Sequence, residues 1–304
     1  MSTTTPPVIG FIGLGFMGHG MAKNIVTKGY PLQVMGHRNR APVESLKSLG
    51  ATEVANQADL AATCDIIFIC VTGSPQVEAL MRGPAGVFAN GRPGLIVIDC
   101  STSNPVSTQA LAAEGASKGI TFMDAPLGGT PVEAEAGQLL AMVGADGSTF
   151  AKVEPVIACW AGRIMHLGQV SVGHTTKLIN NFVAMGYGAL YAEALAIGRK
   201  AGLTPEKLHQ VIGSGRMRCG FYDTFMGWTI DGNENSHKFT ITNAHKDMRY
   251  LASLANEIGA LSPLQSLVKN SYAAMDAAGQ GERFVPMLAD FVAHQNGLKG
   301  AHEQ

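Results

Sequence analysis

A glycine-rich turn near the N-terminus constrains the fold of this chain more than any other feature. Residues 10–24 read GFIGLGFMGHGMAKN, and they continue a strand-like run, Val8–Ile12, into a helix-forming stretch. In this spacing Gly13 permits a tight turn, Gly15 lets the backbone approach a pyrophosphate, and Gly18 allows close helix–strand packing. The opening helix presents N–H groups and its positive dipole end to an anion. An ordinary glycine turn is the alternative, but the strand before and the helix after favour a dinucleotide site.

The composition indicates a well-buried globular protein. With 304 residues, 46% of them hydrophobic and only 15% charged, the chain is long enough for two domains. The net charge of −1 gives no global attraction to nucleic acid or to anionic membranes. No run reaches the ~20 apolar residues of a membrane span, and residues 1–7 lack the apolar region of a signal peptide. We therefore expect a cytoplasmic protein with neither a nucleic-acid nor a membrane partner.

The cysteines and histidines predict neither disulfides nor a metal site. The cysteines are odd in number and stand mostly in apolar runs, which favours reduced core thiols. Nine histidines are scattered without metal-ligand spacing. The cysteines are Cys64, Cys70, Cys100, Cys159 and Cys219.

Residues 1–170 alternate strand-like and helix-like runs, which predicts a doubly wound parallel sheet, a Rossmann domain. The strand candidates are Val8–Ile12, Leu32–Met35, Ile66–Val71, Leu95–Asp99 and Thr121–Asp124, with a further pair around Ala141–Val143 and Ile164–Leu167. Capping residues before proline predict helix starts. These starts are Ser74-Pro75, Asn104-Pro105, Thr130-Pro131, Thr204-Pro205 and Ser262-Pro263.

Residues 171–304 contain no strand-like run, so we expect an all-helical second domain there. His174–Lys200 is apolar on nearly every side and contains no proline. A helix of that length exceeds what one domain needs, so we expect it to lie between the two domains or between subunits.

Lys177 is the residue of this helix that stands out as a candidate for chemistry. Asn181 follows one turn later on the same face, with Asn180 beside it. The alternative is a lysine in a solvated first turn that directs its charge outward. A lysine partly desolvated beside a cationic nicotinamide would bind its proton less tightly, which is what a general acid/base requires.

Two loops between a strand and a helix indicate an anionic substrate. Asp99–Ser103 and Asp124–Thr130 both follow predicted strands, at the sheet edge where open α/β folds bind ligands. A serine hydroxyl and glycine N–H groups beside helix N-termini suit a carboxylate. The alternative for each loop is an ordinary capped connection.

The segment Gly36–Arg40 addresses the choice of cofactor. It reads GHRNR and has no carboxylate where an NAD-selective fold binds the ribose hydroxyl. Arg38 and Arg40 could instead pair with a 2′-phosphate, so we predict that NADP is preferred to NAD. If Arg38 merely stacks on the adenine, NAD remains acceptable.

With these motifs the chain resembles the β-hydroxyacid dehydrogenase family, which contains 3-hydroxyisobutyrate dehydrogenase and tartronate semialdehyde reductase and is similar to 6-phosphogluconate dehydrogenase. The resemblance spans almost the whole chain. It rests on Gly10–Asn24, Asp99–Thr102, Asp124–Gly137, Gly173–Asn181 and Phe239–Asp247. It implies a Rossmann domain, a long interdomain helix and an all-α domain used to assemble a homodimer or homotetramer.

The resemblance also implies roles for individual residues. Lys177 is then the catalytic lysine, Asn181 places the substrate, and Asp247 supports the site. The substrate carboxylate is held by Ser101, Gly128, Gly129 and Thr130. The predicted cofactor contacts are Gly13, Leu14, Gly15, Phe16, Met17, His37, Arg38, Asn39, Arg40, Val71, Thr72, Thr102, Phe239 and Lys246.

One departure from the family pattern leaves the substrate open. The family usually has serine and two glycines where this chain has Gly128-Gly129-Thr130, so a hydroxyl contact is lost or moved to Thr130. Candidates remain 3-hydroxyisobutyrate, glycerate or tartronate semialdehyde, and serine or threonine. The basic segment near Arg216 and Arg218 could add an anion contact, although solvated surface arginines are the simpler interpretation.

Together these observations predict an NAD(P)-dependent oxidoreductase that transfers hydride reversibly at the 3-hydroxyl of a short carboxylic acid. An imine reductase of the same architecture is one alternative, disfavoured by Lys177, which such enzymes generally lack. A non-catalytic NADP-binding protein is the other, since a fold alone does not establish function.

Overall fold

The computed structural model describes residues 5–303, and the chain forms two compact units, Met1–Lys177 and Leu178–Gln304. The first unit is built around one nine-stranded sheet. Its strands are β1 (Ile9–Ile12), β2 (Leu32–Met35), β3 (Thr52–Val54), β4 (Ile66–Ile69), β5 (Ile96–Asp99), β6 (Thr121–Asp124), β7 (Leu127–Gly128), β8 (Leu139–Gly144) and β9 (Ala161–Gly168).

The strand order is that of a dinucleotide-binding fold. Strands β3-β2-β1-β4-β5-β6 are adjacent in that order and all parallel, and β8 then runs antiparallel to both β6 and β7. Strand β9 pairs in parallel with β8. The predicted Rossmann architecture is confirmed.

Both faces of this sheet are covered. In β4, Phe68 belongs to one buried apolar cluster while its neighbours Ile67 and Ile69 belong to another. Successive side chains of a strand point to opposite faces, so these clusters lie on the two sides of the sheet. The helices of this unit are α1 (Gly18–Thr27), α2 (Ala41–Ser48), α3 (Gln57–Thr63), α4 (Ser74–Met81), α5 (Val87–Asn90), α6 (Pro105–Ala116), α7 (Pro131–Ala136) and α8 (Gly147–Ile157).

Helix α9 (Val172–Lys200) begins in the first unit and continues without a break into the second. The second unit is otherwise made of α10 (Pro205–Ser214), α11 (Gly220–Asp231), α12 (Ile241–Glu257), α13 (Pro263–Met275) and α14 (Leu288–Gln295), with a π-helical turn at Asp276–Gln280 and a 3₁₀ turn at Val285–Met287. Its main core packs aromatic and aliphatic side chains from α9, α11, α12 and α13.

Some local predictions were wrong. Strand β3 was not predicted, and the connection expected after Asp124 contains β7. The N-cap of α4 is Gly73 and not Ser74, whose hydroxyl instead accepts a hydrogen bond from the Asn104 backbone N–H at 2.7 Å. Ser262 is the N-cap of α13 but makes no capping side-chain bond.

The other caps form as predicted. Asn104 and Thr204 accept backbone N–H groups of α6 and α10, and Thr130 forms a capping box with Glu133. All five cysteines are free; Cys64, Cys100 and Cys159 are buried, Cys70 is half-buried and Cys219 is exposed. Within residues 5–303 no helix combines the length and hydropathy of a membrane span, and no three His, Cys, Asp or Glu side chains are grouped as for a metal ion.

Candidate active site

The glycine turn between β1 and α1 is shaped as the motif requires. Gly13 has a φ of +95°, and a side chain there would collide with the Cys70 carbonyl. A side chain at Gly18 would collide with the Gly13 carbonyl. Gly15, by contrast, faces open space, with nothing within 4 Å of where a Cβ would stand. The backbone at Gly15 is therefore open to a close-lying pyrophosphate.

The N-terminus of α1 is suited to an anion. The N-cap residue, Met17, makes no side-chain capping bond, and the first turn carries no acidic residue. Phe16 is 88% exposed beside it, while Leu14 packs against the core. The positive end of the helix dipole is thus not compensated by a carboxylate in that turn.

The two arginines after β2 differ in their surroundings. Arg40 donates to both carboxylate oxygens of Glu53, at 2.6 and 2.7 Å, and to Glu44 at 3.1 Å. The hydrogen bonds from Arg40 hold the pKa of Glu53 below its ordinary value. Arg38 is exposed and forms no ion pair within residues 5–303. Of the two guanidinium groups, Arg38 is the one not already paired with carboxylates.

The remaining residues of this turn are also at the surface. His37 and Asn39 are exposed, and the Asn39 amide oxygen accepts the Ala41 backbone N–H at 3.1 Å.

Ser101 joins the carboxyl ends of β4 and β5. Its hydroxyl accepts a hydrogen bond from the Val71 backbone N–H at 3.0 Å, and its own N–H donates to Asp99 at 2.8 Å. The hydroxyl of Ser103 donates to the other oxygen of Asp99 at 2.7 Å. Asp99 therefore holds the 101–103 loop in shape, next to Thr102, which is half-buried, and near Thr72, which is exposed.

Asp124, at the end of β6, orients the beginning of α9. It accepts the backbone N–H groups of Ser171 at 2.6 Å and His174 at 2.7 Å. Burial raises the pKa of this carboxyl, although the adjacent His174 and the two N–H donors oppose that effect. Lys177 lies half-buried in the next turn of the helix.

The glycine loop between β6 and α7 reaches the surface. Gly128 is half-buried in β7, whereas Gly129, with a φ of +119°, and Thr130 are exposed. The Thr130 N–H donates to the Glu133 carboxylate at 2.6 Å.

Helix α7, which follows this loop, packs directly on α1. Gly20 makes this possible, because a side chain there would meet the backbone of Ala134 and Glu135. Glu135 accepts hydrogen bonds from Lys23 at 2.7 Å and from His19 at 2.6 Å. The helix after the cofactor turn thus contacts the helix after the candidate carboxylate loop.

In the second unit the structure brings three predicted site residues together. The Asn181 amide donates to the buried carboxylate of Asp247 at 2.7 Å, and the Lys246 ammonium lies 3.4 Å from the other oxygen of Asp247. Phe239 is half-buried against the core of this unit. Arg216 and Arg218 are exposed, and Arg218 donates to Asp223 at 2.9 Å.

Two models of known protein families match this chain. The family model for the NAD-binding domain of 6-phosphogluconate dehydrogenase matches residues 8–168. The model for the NAD-binding region of NADP-dependent 3-hydroxyisobutyrate dehydrogenase matches residues 171–288. The chain belongs to the β-hydroxyacid dehydrogenase family. Within this family it is an NAD(P)-dependent oxidoreductase, as the motifs predicted.

Named relatives of this β-hydroxyacid dehydrogenase act on different compounds. A 2-(hydroxymethyl)glutarate dehydrogenase of Eubacterium barkeri is 34% identical over 90% of each chain. A 3-sulfolactaldehyde reductase of Escherichia coli is 30% identical over 90% of this chain and 92% of that protein. The structure of Mycobacterium tuberculosis 3-hydroxyisobutyrate dehydrogenase with L-serine matches with a TM-score of 0.83 at 25% identity, over 95% of this chain and 99% of that one.

Sequence reasoning did not single out His174, which the structure places in the first turns of α9, fully buried. The sequence signal that could have found His174 is a polar residue in a helix predicted to be apolar on nearly every side. Two predicted strands that precede it, Leu95–Asp99 and Thr121–Asp124, both end in aspartate.

Proposed function

We propose that this β-hydroxyacid dehydrogenase transfers hydride reversibly at the 3-hydroxyl carbon of a short carboxylic acid, with Lys177 as the general acid/base. The observation that carries the proposal is the placement of Lys177. It is half-buried and lies one turn beyond His174, whose backbone N–H donates to Asp124 at the carboxyl end of β6. Ligands of open α/β sheets bind at that end of the strands.

The cofactor, when bound, exchanges the hydride with the substrate carbon. During oxidation the Lys177 amine takes the hydroxyl proton, and during reduction it returns that proton to the carbonyl oxygen. Asn181, four residues later in the same helix, lies on the same helix face and orients the substrate. Asp247 accepts the Asn181 amide N–H, so the amide oxygen is directed away from that carboxylate.

We assign the substrate carboxylate to Ser101 and to the loop Gly128, Gly129 and Thr130. Backbone N–H groups at glycines, of which Gly129 is exposed, and a helix N-terminus favour an anion. The Ser101 hydroxyl accepts from Val71 and can donate its own proton to a carboxylate oxygen.

The cofactor proposal is NADP in preference to NAD, with Arg38 as the residue that pairs with the 2′-phosphate. Arg40 also counts as a predicted contact, but its guanidinium is shared with Glu53 and Glu44. We also propose the other cofactor contacts named above. They are Gly13, Leu14, Gly15, Phe16, Met17, His37, Asn39, Val71, Thr72, Thr102, Phe239 and Lys246.

The substrate is proposed as a class and not as one compound. The class comprises 3-hydroxyisobutyrate, glycerate or its oxidation product tartronate semialdehyde, and serine or threonine. The names of the relatives include a dicarboxylate, a sulfonate and 3-hydroxyisobutyrate, which supports small substrates that carry an anionic group.

The test of the catalytic role compares Lys177→Ala with Lys200→Ala, which removes an exposed lysine from the far end of α9. Loss of a general acid/base costs about 10²–10⁴-fold in kcat, so we expect that loss in the first variant only. Cofactor affinity, measured by fluorescence titration, should be nearly unchanged in both. Normal turnover by Lys177→Ala would contradict the assignment.

A further inference from the structure

His174 is a fully buried histidine that the proposed reaction does not use. Its Nδ1 lies 2.8 Å from the Thr108 hydroxyl of α6, and its Nε2 lies 3.0 Å from the backbone carbonyl of Ser101. Its own backbone N–H donates to Asp124. One residue of α9 is thus tied to helix α6, to the loop after β5 and to the end of β6.

The partners establish which ring nitrogen carries a proton. A carbonyl oxygen can only accept, so Nε2 must donate to Ser101. In the neutral ring Nδ1 then accepts, so the Thr108 hydroxyl donates either to Nδ1 or to the Asn104 carbonyl, which lies 3.1 Å away. Whichever way that hydroxyl is turned, the bond from Nε2 to Ser101 remains.

Two buried carboxylates face the same ring. Asp99 lies 3.7 Å from Nε2 and Asp124 lies 3.8 Å from Nδ1. Asp99 is also the group that binds the Ser101 N–H and the Ser103 hydroxyl. The imidazole therefore sits between the carboxylate that shapes the 101–103 loop and the carboxylate that orients α9.

We propose that His174 is a positioning residue, which sets the 101–103 loop against the beginning of α9 and so controls the affinity for the substrate carboxylate. It acts through Ser101 and touches neither substrate nor cofactor. Its kinetic consequence rests on the proposed function, in which Ser101 binds the carboxylate and Lys177, three residues beyond His174, moves the proton.

A histidine with only a packing role could form its hydrogen bonds with any nearby polar groups. Here the Nε2 partner is the backbone of the residue assigned to the substrate, and an apolar replacement would leave that buried carbonyl without this donor. An unsatisfied buried polar group is costly, so the loop is expected to shift until the carbonyl finds another partner.

The test compares His174→Leu with His174→Gln, whose amide N–H₂ can still donate to the Ser101 carbonyl. We expect His174→Leu to raise KM for the hydroxy acid about tenfold or more, with kcat and the dissociation constant of NADPH changed less than about threefold. His174→Gln should recover most of the lost affinity. A fall in kcat with unchanged KM in both variants would overturn the proposal.

Two measurements do not depend on turnover. Amide hydrogen exchange of residues 99–104 should speed up in His174→Leu and be restored in His174→Gln, while residues 9–12 of β1 exchange as in the wild type. A nitrogen NMR spectrum of histidine-labelled protein should show the His174 proton on Nε2. Unchanged exchange, or a proton on Nδ1 alone, would overturn the positioning role.

These measurements separate the two proposals. If the wild-type protein oxidised no hydroxy acid while the exchange and NMR results were as expected, the proposed function would fail and the hydrogen bond between His174 and Ser101 would stand.

Thr108→Val gives a control variant that keeps the imidazole of His174. It should retain KM within about threefold, because the bond to Ser101 survives, and a rise equal to that of His174→Leu would contradict the proposal.

Discussion

At the scale of single residues, Arg38 and Arg40 stand two positions apart but have different surroundings. Both precede α2 and both are exposed. Arg40 is held by Glu53 and Glu44, whereas Arg38 forms no ion pair within the part of the chain that the structure describes. A guanidinium without a carboxylate partner can pair with a phosphate without first breaking an ion pair.

We therefore predict that Arg38→Ala weakens NADPH binding about ten- to hundredfold, the worth of a charge-assisted hydrogen bond, with a much smaller effect on NADH. Arg40→Ala, the matched control, should change the affinity of both cofactors to a similar, smaller extent. Fluorescence titration of each variant with both cofactors gives the four dissociation constants. Equal losses of NADPH and NADH in Arg38→Ala would indicate stacking on the adenine instead.

Candidate site residues could be predicted from the sequence by their type and spacing, but their hydrogen-bond partners could not. Lys177 and the three motif glycines stand out by type and spacing alone. One partner of Arg40, Glu53, lies on β3. The three residues of this strand show no buried alternation, because so short an edge strand has little to bury. The bond between His174 and Ser101 joins residues 73 positions apart, and only the sheet order brings them together.

At the scale of elements, α9 is the helix that bears on the predicted assembly. It was predicted to be apolar on nearly every side and to lie between the two domains or between subunits. In this single chain an apolar row along one of its faces is exposed, between 44% and 68% for each side chain. The row comprises Ile179, Val183, Tyr187, Leu190 and Ile197.

The spacing of this row, with steps of three, four and seven residues, places it on one helix face. Scattered apolar residues at a surface are ordinary, but a contiguous apolar stripe marks an interaction surface. A second copy of the chain is the occupant that we propose, in a homodimer or homotetramer.

If that is so, Leu190→Glu should reduce the mass measured by light scattering to that of a single chain at micromolar concentration, because a buried unpaired charge is unfavourable in an interface. Lys118→Glu, which introduces the same carboxylate at an exposed position of the first unit, should leave the mass unaltered. A wild-type protein that is already monomeric would contradict the proposed assembly.

Shorter elements show why other predictions failed. Ser74 was expected to cap α4, yet its hydroxyl accepts the Asn104 N–H, so a contact 30 residues away replaces the local one. Strand β7 has only two residues, and it pairs with β8 through Leu127 and Gly128. Such pairing depends on a partner strand and leaves no periodic signal of its own.

At the scale of the whole molecule, the alternation of strands and helices predicted the Rossmann sheet, and the loss of strand-like runs after Gly168 predicted an all-helical region. Both predictions are confirmed. The sheet was predictable because a parallel sheet buried on two faces requires continuous apolar strands, and these are visible in the sequence. The antiparallel placement of β8 was not visible, since direction in a sheet is set by pairing and not by periodicity.

The proposed function assigns roles to Lys177, the last residue of the first unit, and to Asn181, Lys246 and Asp247 of the second. We propose that these residues serve hydride transfer on a short 3-hydroxy carboxylic acid. A substrate panel with purified protein and both oxidised cofactors examines that claim without any substitution.

The measurement is the absorbance of the reduced nicotinamide that forms as the hydroxy acid is oxidised. The acids are 3-hydroxyisobutyrate, glycerate, serine and threonine, and each is compared with its methyl ester. We expect the cofactor to be reduced with at least one free acid, faster with NADP than with NAD, and activity to be lost with the matching ester, which lacks the carboxylate charge. No reduction by any acid, or equal rates with acid and ester, would contradict it.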